Sequence, residues 1–131
     1  MLQSLNGLRP HAHWLLRAAF ASVFLFHGAG KVATFSTFPA MMGLSVPVAA
    51  LVTFAELAAG LGIIIGGFKS ELITRLAALA GIPVLLGAIV LVHGPRWSFT
   101  PAEGFPMGGM EFQVVLLSIG LYFLIMGNAR S

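Results

Sequence analysis

The chain has 131 residues, 58% of them hydrophobic and 8% charged, with 7 Lys or Arg against 4 Asp or Glu, a formal net charge of +3 and no cysteine. A soluble domain carries roughly 25% charged residues, so this chain cannot cover a water-facing surface, and the lack of thiols excludes disulfides, thiolate metal sites and disulfide relays. Its basic residues are scattered singly among apolar stretches and form no stripe, which excludes a nucleic-acid surface.

A spanning helix needs about 20 mostly apolar residues, because a hydrocarbon core of ~30 Å is crossed at about 1.5 Å per residue. Four stretches meet this, at about 14–30, 47–67, 72–93 and 111–127. They predict an all-α, integral membrane four-helix bundle forming a single transmembrane domain over residues 1–131.

The first stretch follows Arg9 and includes Arg17, an arrangement that resembles a signal peptide. His27 and Lys31 interrupt the region where cleavage would fall, so a retained helix is expected. These two residues are four apart and therefore stack on one helix face near its outer end. The connection at 32–46 carries Phe35, Phe38, Met41 and Met42 and is expected to lie in the interface as a short amphipathic piece. In the second stretch Glu56 falls nine residues beyond Pro47, roughly 13 Å below the boundary where that helix enters.

Lys69 and Arg75 flank the tight turn into the third stretch. Pro83 interrupts that helix and releases the carbonyl of Leu79, which predicts a kink. His93 ends it. The loop GPRWSFTPAEGFPMGGM at 94–110 places Trp97, Phe99 and Phe105 at headgroup level, where aromatic side chains anchor; a lid is the alternative reading. Glu111 opens the fourth stretch, where the positive end of the helix dipole favours a carboxylate. Small residues at spacing four, Ala55 and Ala59, Gly62 and Gly66, Ala77 and Gly81, let helix backbones approach closely.

Orientation follows from the Lys and Arg near the helix ends. Arg9, Arg17, Lys69, Arg75 and Arg130 fall on one face, which is expected to be cytoplasmic together with both termini. On the opposite face Lys31 and Arg96 stand beside Glu103 and Glu111. The expected location is a bacterial cytoplasmic (inner) membrane, with the bilayer as first partner.

Ionisable groups at the centre of a spanning helix cost about 2.5–3.5 kcal/mol each on insertion scales, so a retained one has a partner or a task. The candidates are His27, Lys31, Glu56, His93 and Glu111, grouped in the outer half, with Lys31 expected to pair with Glu56 or Glu111. Bundle di-metal sites use four Glu and paired Glu-x-x-His motifs; none occurs here, a lysine would compete for the carboxylates, and no metal is expected. Nothing singles out a haem held by His27 and His93. Two readings stay open: a proton-handling pocket for the carbonyl oxygens of a quinone-like lipid, and an ion-pair network that fixes helix register.

The segments LLRAAFASVFLFHGAGKVATF, AELAAGLGIIIGG, VHG and GGMEFQVVLLSIGLYFLIMG, which carry Arg17, the His27-Gly28-x-x-Lys31 run, Glu56 followed by glycines, His93 and Glu111, resemble the DoxX family of small four-helix membrane proteins. That resemblance implies a membrane part of an oxidoreductase system, as in the small subunit of an archaeal thiosulfate:quinone oxidoreductase, or a partner of redox enzymes. Distant relatives of the family resemble cargo receptors and receptor chaperones. The expectation is a membrane subunit that docks a redox enzyme or another membrane subunit and offers it a quinone-facing pocket. It holds no cofactor of its own beyond a bound quinone and is at most a subunit of a quinone-linked oxidoreductase. A non-enzymatic scaffold, assembly factor or cargo-receptor-like protein is the alternative, and a small-solute transporter the third reading.

Overall fold

A computed structural model of the chain describes residues 2–128; Arg130, one of the residues used to orient the chain, lies outside them. The described residues are all helical or loop, with no strand among them. After a 3-10 segment at Leu2–His11 come α1 (His13–Ala33), α2 (Phe38–Met41), α3 (Val46–Lys69), α4 (Glu71–Ala88), a single π-helical stretch at Ile89–His93 that continues α4, and α5 (Glu111–Met126).

Three of these segments, His13–Ala33, Val46–Lys69 and Glu71–His93, are long and apolar enough to cross a bilayer. The fourth apolar helix, α5, has 16 residues and so reaches about 24 Å, short of a ~30 Å hydrocarbon core. The outward surface matches that setting. Phe26, Leu51, Phe54, Leu76, Leu79 and Val90 are all exposed, an apolar girdle far larger than a soluble monomer tolerates.

Each helix boundary has a local cause. Ser45 caps α3, its hydroxyl accepting from the amide of Val48 at 3.4 Å, with Pro47 in the first turn where a missing N–H is harmless. Ser70 alone separates α3 from α4: extended itself, it donates its amide to the Gly66 carbonyl and accepts from the Leu72 amide through its side chain. One residue closes both helix ends, so α3 and α4 must run antiparallel and side by side. α4 stays helical through Pro83 to Ala88. It then widens, the Gly94 amide reaching the carbonyl of Ile89 five residues back, and this wider turn sets the direction of His93.

The packing order is α1 on α3, α3 on α4 and α4 on α5, while α1 and α5 meet only briefly. Phe20 and Phe24 from α1, Ala59 and Ile63 from α3, Ala77, Ala78 and Leu85 from α4, and Leu116 and Phe123 from α5 form the buried centre. The small residues permit it. A Cβ on Gly81 would come within 3.0 Å of both Phe20 and Phe24, and one on Gly66 within 2.5 Å of the Thr74 amide nitrogen.

Near the end of the bundle formed by the start of α1, Arg17 is fully buried. Its guanidinium donates to His13 Nδ1 at 2.9 Å, Thr74 Oγ1 at 3.1 Å, Asn128 Oδ1 at 2.6 Å and the carbonyl of Ile63. It also lies over the rings of Phe123 and Trp14, at 4.7 and 5.5 Å. Asn128 completes the knot by donating to the Gly66 carbonyl at 2.7 Å. Arg17 thus ties together α1, α3, α4 and the segment after α5. Sequence reasoning treated it as a flanking charge; its position five residues into an apolar helix was the available signal for a buried role.

Candidate functional site

The opposite end of the bundle holds an apolar-walled cavity of about 310 Å³ between α1, α3, α4 and α5. Val23, Phe24, Val52, Val84, Leu116 and Met107 supply apolar wall, and His27, Lys31, Glu56, His93 and Gln113 supply the polar groups. A second space of about 250 Å³ adjoins it, lined by His27, His93, Phe99, Met107, Gly109, Phe112 and Gln113. The loop before α5 therefore roofs this end.

Glu56 sits ten residues into α3, roughly 15 Å along the helix, and is buried. Lys31 answers it from the last turn of α1, its Nζ 3.0 Å from Oε1 and 2.8 Å from Oε2. Oε1 receives the aligned hydrogen bond; Oε2, the nearer oxygen, has no aligned donor and is held by charge alone. Gly28 makes this reach possible, because a Cβ there would fall 2.8 Å from Leu57 Cδ2 and 3.3 Å from Glu56 Cβ, holding α1 and α3 apart. The Lys31 ammonium also lies 5.3 Å from the ring centre of Phe38. Phe38 is buried, so α2 tucks one aromatic side chain under the pair and onto the cavity wall.

His93, brought inward by the π-helical stretch, is buried, and its Nδ1 lies 2.9 Å from the Gly108 carbonyl. That bond fastens the roofing loop to α4. The loop holds itself by further contacts. The Met110 amide donates to the Arg96 carbonyl at 2.7 Å, the Arg96 side chain donates to the Thr100 carbonyl, and its guanidinium lies 5.9 Å from the Phe105 ring centre. At Gly108 φ is +83°, and a Cβ would run into the Phe99 carbonyl, so only glycine presents its own carbonyl to His93 in this way. Trp97 and Phe99 stay largely exposed, as anchors at an interface would.

Of the five residues selected from the sequence, the structure gathers His27, Lys31, Glu56 and His93 around one cavity, and of the two carboxylates offered to Lys31 it pairs Glu56. Glu111 stands half-buried at the start of α5 and lines neither space. Two residues further on, Gln113 faces both, with its Oε1 buried and without a hydrogen-bond partner. A neutral amide in the first turn of a helix carries no charge signal, which is why Gln113 escaped notice. Among the described residues, no three His, Cys, Asp or Glu are placed to share a metal ion.

A sequence model of the DoxX family matches residues 12–94, well over half of the chain. The chain belongs to the DoxX family. Arg17, His27, Lys31, Glu56 and His93 all fall within the matched range, so both polar centres of this DoxX protein are built mainly from the family's own segment; Gln113 and Glu111 lie beyond it on α5. No curated protein and no solved structure matches the chain.

Proposed function

We propose that this DoxX protein is the membrane subunit of a redox system and that its cavity receives the head of a quinone-like lipid for a partner oxidoreductase. The observation that carries the reading is the pairing of an apolar-walled space of about 310 Å³ with two histidines, an amide and an ion pair on its wall. Ligand sites combine mostly apolar lining with a few polar groups that orient the head. Proton uptake and release accompany quinone chemistry, and imidazole serves both. In this reading the chain crosses a bacterial inner membrane four times with both termini cytoplasmic, which puts the cavity in the outer half. The 16-residue α5 then requires local thinning of the bilayer or help from its flanking segments.

The test is equilibrium binding of decylubiquinone to the full chain in lipid nanodiscs. Saturable binding is expected, and Gly87→Leu should weaken it at least tenfold: Gly87 lines the cavity and its Cβ position has nothing within 4 Å, so the new side chain enters the space without a clash. Absence of saturable binding by the folded protein refutes the reading. One observation favours a second reading, a scaffold or assembly factor: Lys31 and Glu56 already pair with each other and can serve register alone. In that case no quinone binds, and loss of the pair lowers only stability.

A further inference from the structure

The hydrogen-bonding state of the cavity wall decides which redox form of such a lipid it suits, an inference that rests on the reading above. A carbonyl oxygen has no proton to give. The Gly108 carbonyl, 2.9 Å from His93 Nδ1, therefore requires Nδ1 to be the protonated nitrogen, and in the neutral ring Nε2 is left as a bare acceptor. His93 is buried and lines both spaces, so Nε2 is the nitrogen it keeps for their contents.

The neighbouring polar groups lean the same way. Gln113 Oε1, on the wall of both spaces, is a second acceptor that nothing in the protein fills. The Lys31 ammonium is turned toward Glu56 and the Phe38 ring, and Glu56 Oε2 is a further acceptor without an aligned donor. His27 has an exposed ring that adapts its tautomer to either partner. Donors are present as well, two N–H bonds on the Gln113 amide nitrogen and three on the Lys31 ammonium, so discrimination falls to His93 Nε2, which can only accept. A quinone carbonyl can accept from the Gln113 amide or Lys31 but leaves His93 Nε2 unpaired, whereas a quinol hydroxyl can fill it.

We propose that the cavity is a site for an apolar molecule bearing a hydroxyl donor, the quinol rather than the quinone, with that hydroxyl donated to His93 Nε2 and Gln113 as the second acceptor. His93 holds the roofing loop through one nitrogen and reads the ligand through the other. Residence of the loop and choice of ligand are thereby joined in a single ring.

The test uses the full chain in nanodiscs and two ligand pairs: decylubiquinol against decylubiquinone, and para-nonylphenol against its methyl ether, which removes the donor without redox chemistry. The hydroxyl member of each pair should bind about tenfold more tightly, the effect of one hydrogen bond made rather than left open. His93→Asn keeps an amide donor near the Gly108 carbonyl and removes the Nε2 acceptor, so it should bring both ratios to about one with the loop still docked. His93→Gln, which keeps an acceptor near the Nε2 position, should retain part of the preference. Should His93→Asn fail to fold, Gln113→Leu must lower the ratios instead. Equal binding within each pair, tighter binding of the quinone, or a preference that survives His93→Asn overturns this inference while leaving the pocket a quinone site. If no member of either pair binds, the underlying reading fails and takes the inference with it.

Discussion

Replacing Glu56 by leucine removes the ion-pair partner that Lys31 has among the described residues; the lysine side chain is 19% exposed, against 8% for Glu56 itself. An exposed pair contributes about 0–1 kcal/mol, and removing one member of a fully buried pair costs about 3–5 kcal/mol because the other charge is left stranded. Partial exposure of Lys31 lets its ammonium rotate toward the headgroups, so the expected loss for Glu56→Leu lies between these limits, about 2–3 kcal/mol. Adding Lys31→Met removes the stranded charge. Because apolar residues of similar volume replace a buried pair at little cost, the double variant should recover most of the loss. Reversible unfolding of the four proteins of this cycle, in mixed micelles with increasing denaturing detergent, measures the coupling. A Glu56→Leu loss under about 0.5 kcal/mol, at the floor of an exposed pair, would refute the claim that the pair is buried and coupled. So would a double variant whose losses simply add.

Arg17→Lys keeps the charge but gives up the planar fork that reaches His13, Thr74, Asn128 and the Ile63 carbonyl together; a loss of about 1–3 kcal/mol is expected, measured by the same unfolding, with cavity ligand binding unchanged. Gly66→Ala drives a methyl group against the Thr74 backbone, whereas Gly30→Ala meets nothing within 4 Å. The first should cost about 1–3 kcal/mol from overpacking and the second should be neutral or stabilising by up to about 1 kcal/mol; equal effects would refute the close approach of α3 and α4. A reporter active only outside the cytoplasm, fused after residue 131, should be silent if both termini are cytoplasmic, and strong activity there would move the cavity to the inner half.

Hydropathy and spacing were enough to read an all-helical membrane protein from the chain, because crossing a bilayer is decided locally: apolar length and backbone hydrogen bonds closed within one segment suffice. The same logic singled out His27, Lys31, Glu56, His93 and Glu111, of which Glu111 lines neither space, since ionisable groups in apolar runs stand out without knowledge of their neighbours. Partnership is not local. Lys31 had Glu56 and Glu111 within plausible reach, and the choice depended on Gly28 letting α1 settle against α3, a contact between residues far apart in sequence. The π-helical widening that turns His93 inward, the Gly108 carbonyl that sets its tautomer, and the burial of Arg17 at the far end all arise where helices and loops meet. Gln113 shows the limit most plainly. Nothing in its type or spacing marks it, and only the packing of α5 beside α4 leaves its amide oxygen unpaired next to a cavity. Sequence patterns report what each segment demands of its solvent, whereas a site is made of what several segments demand of one another.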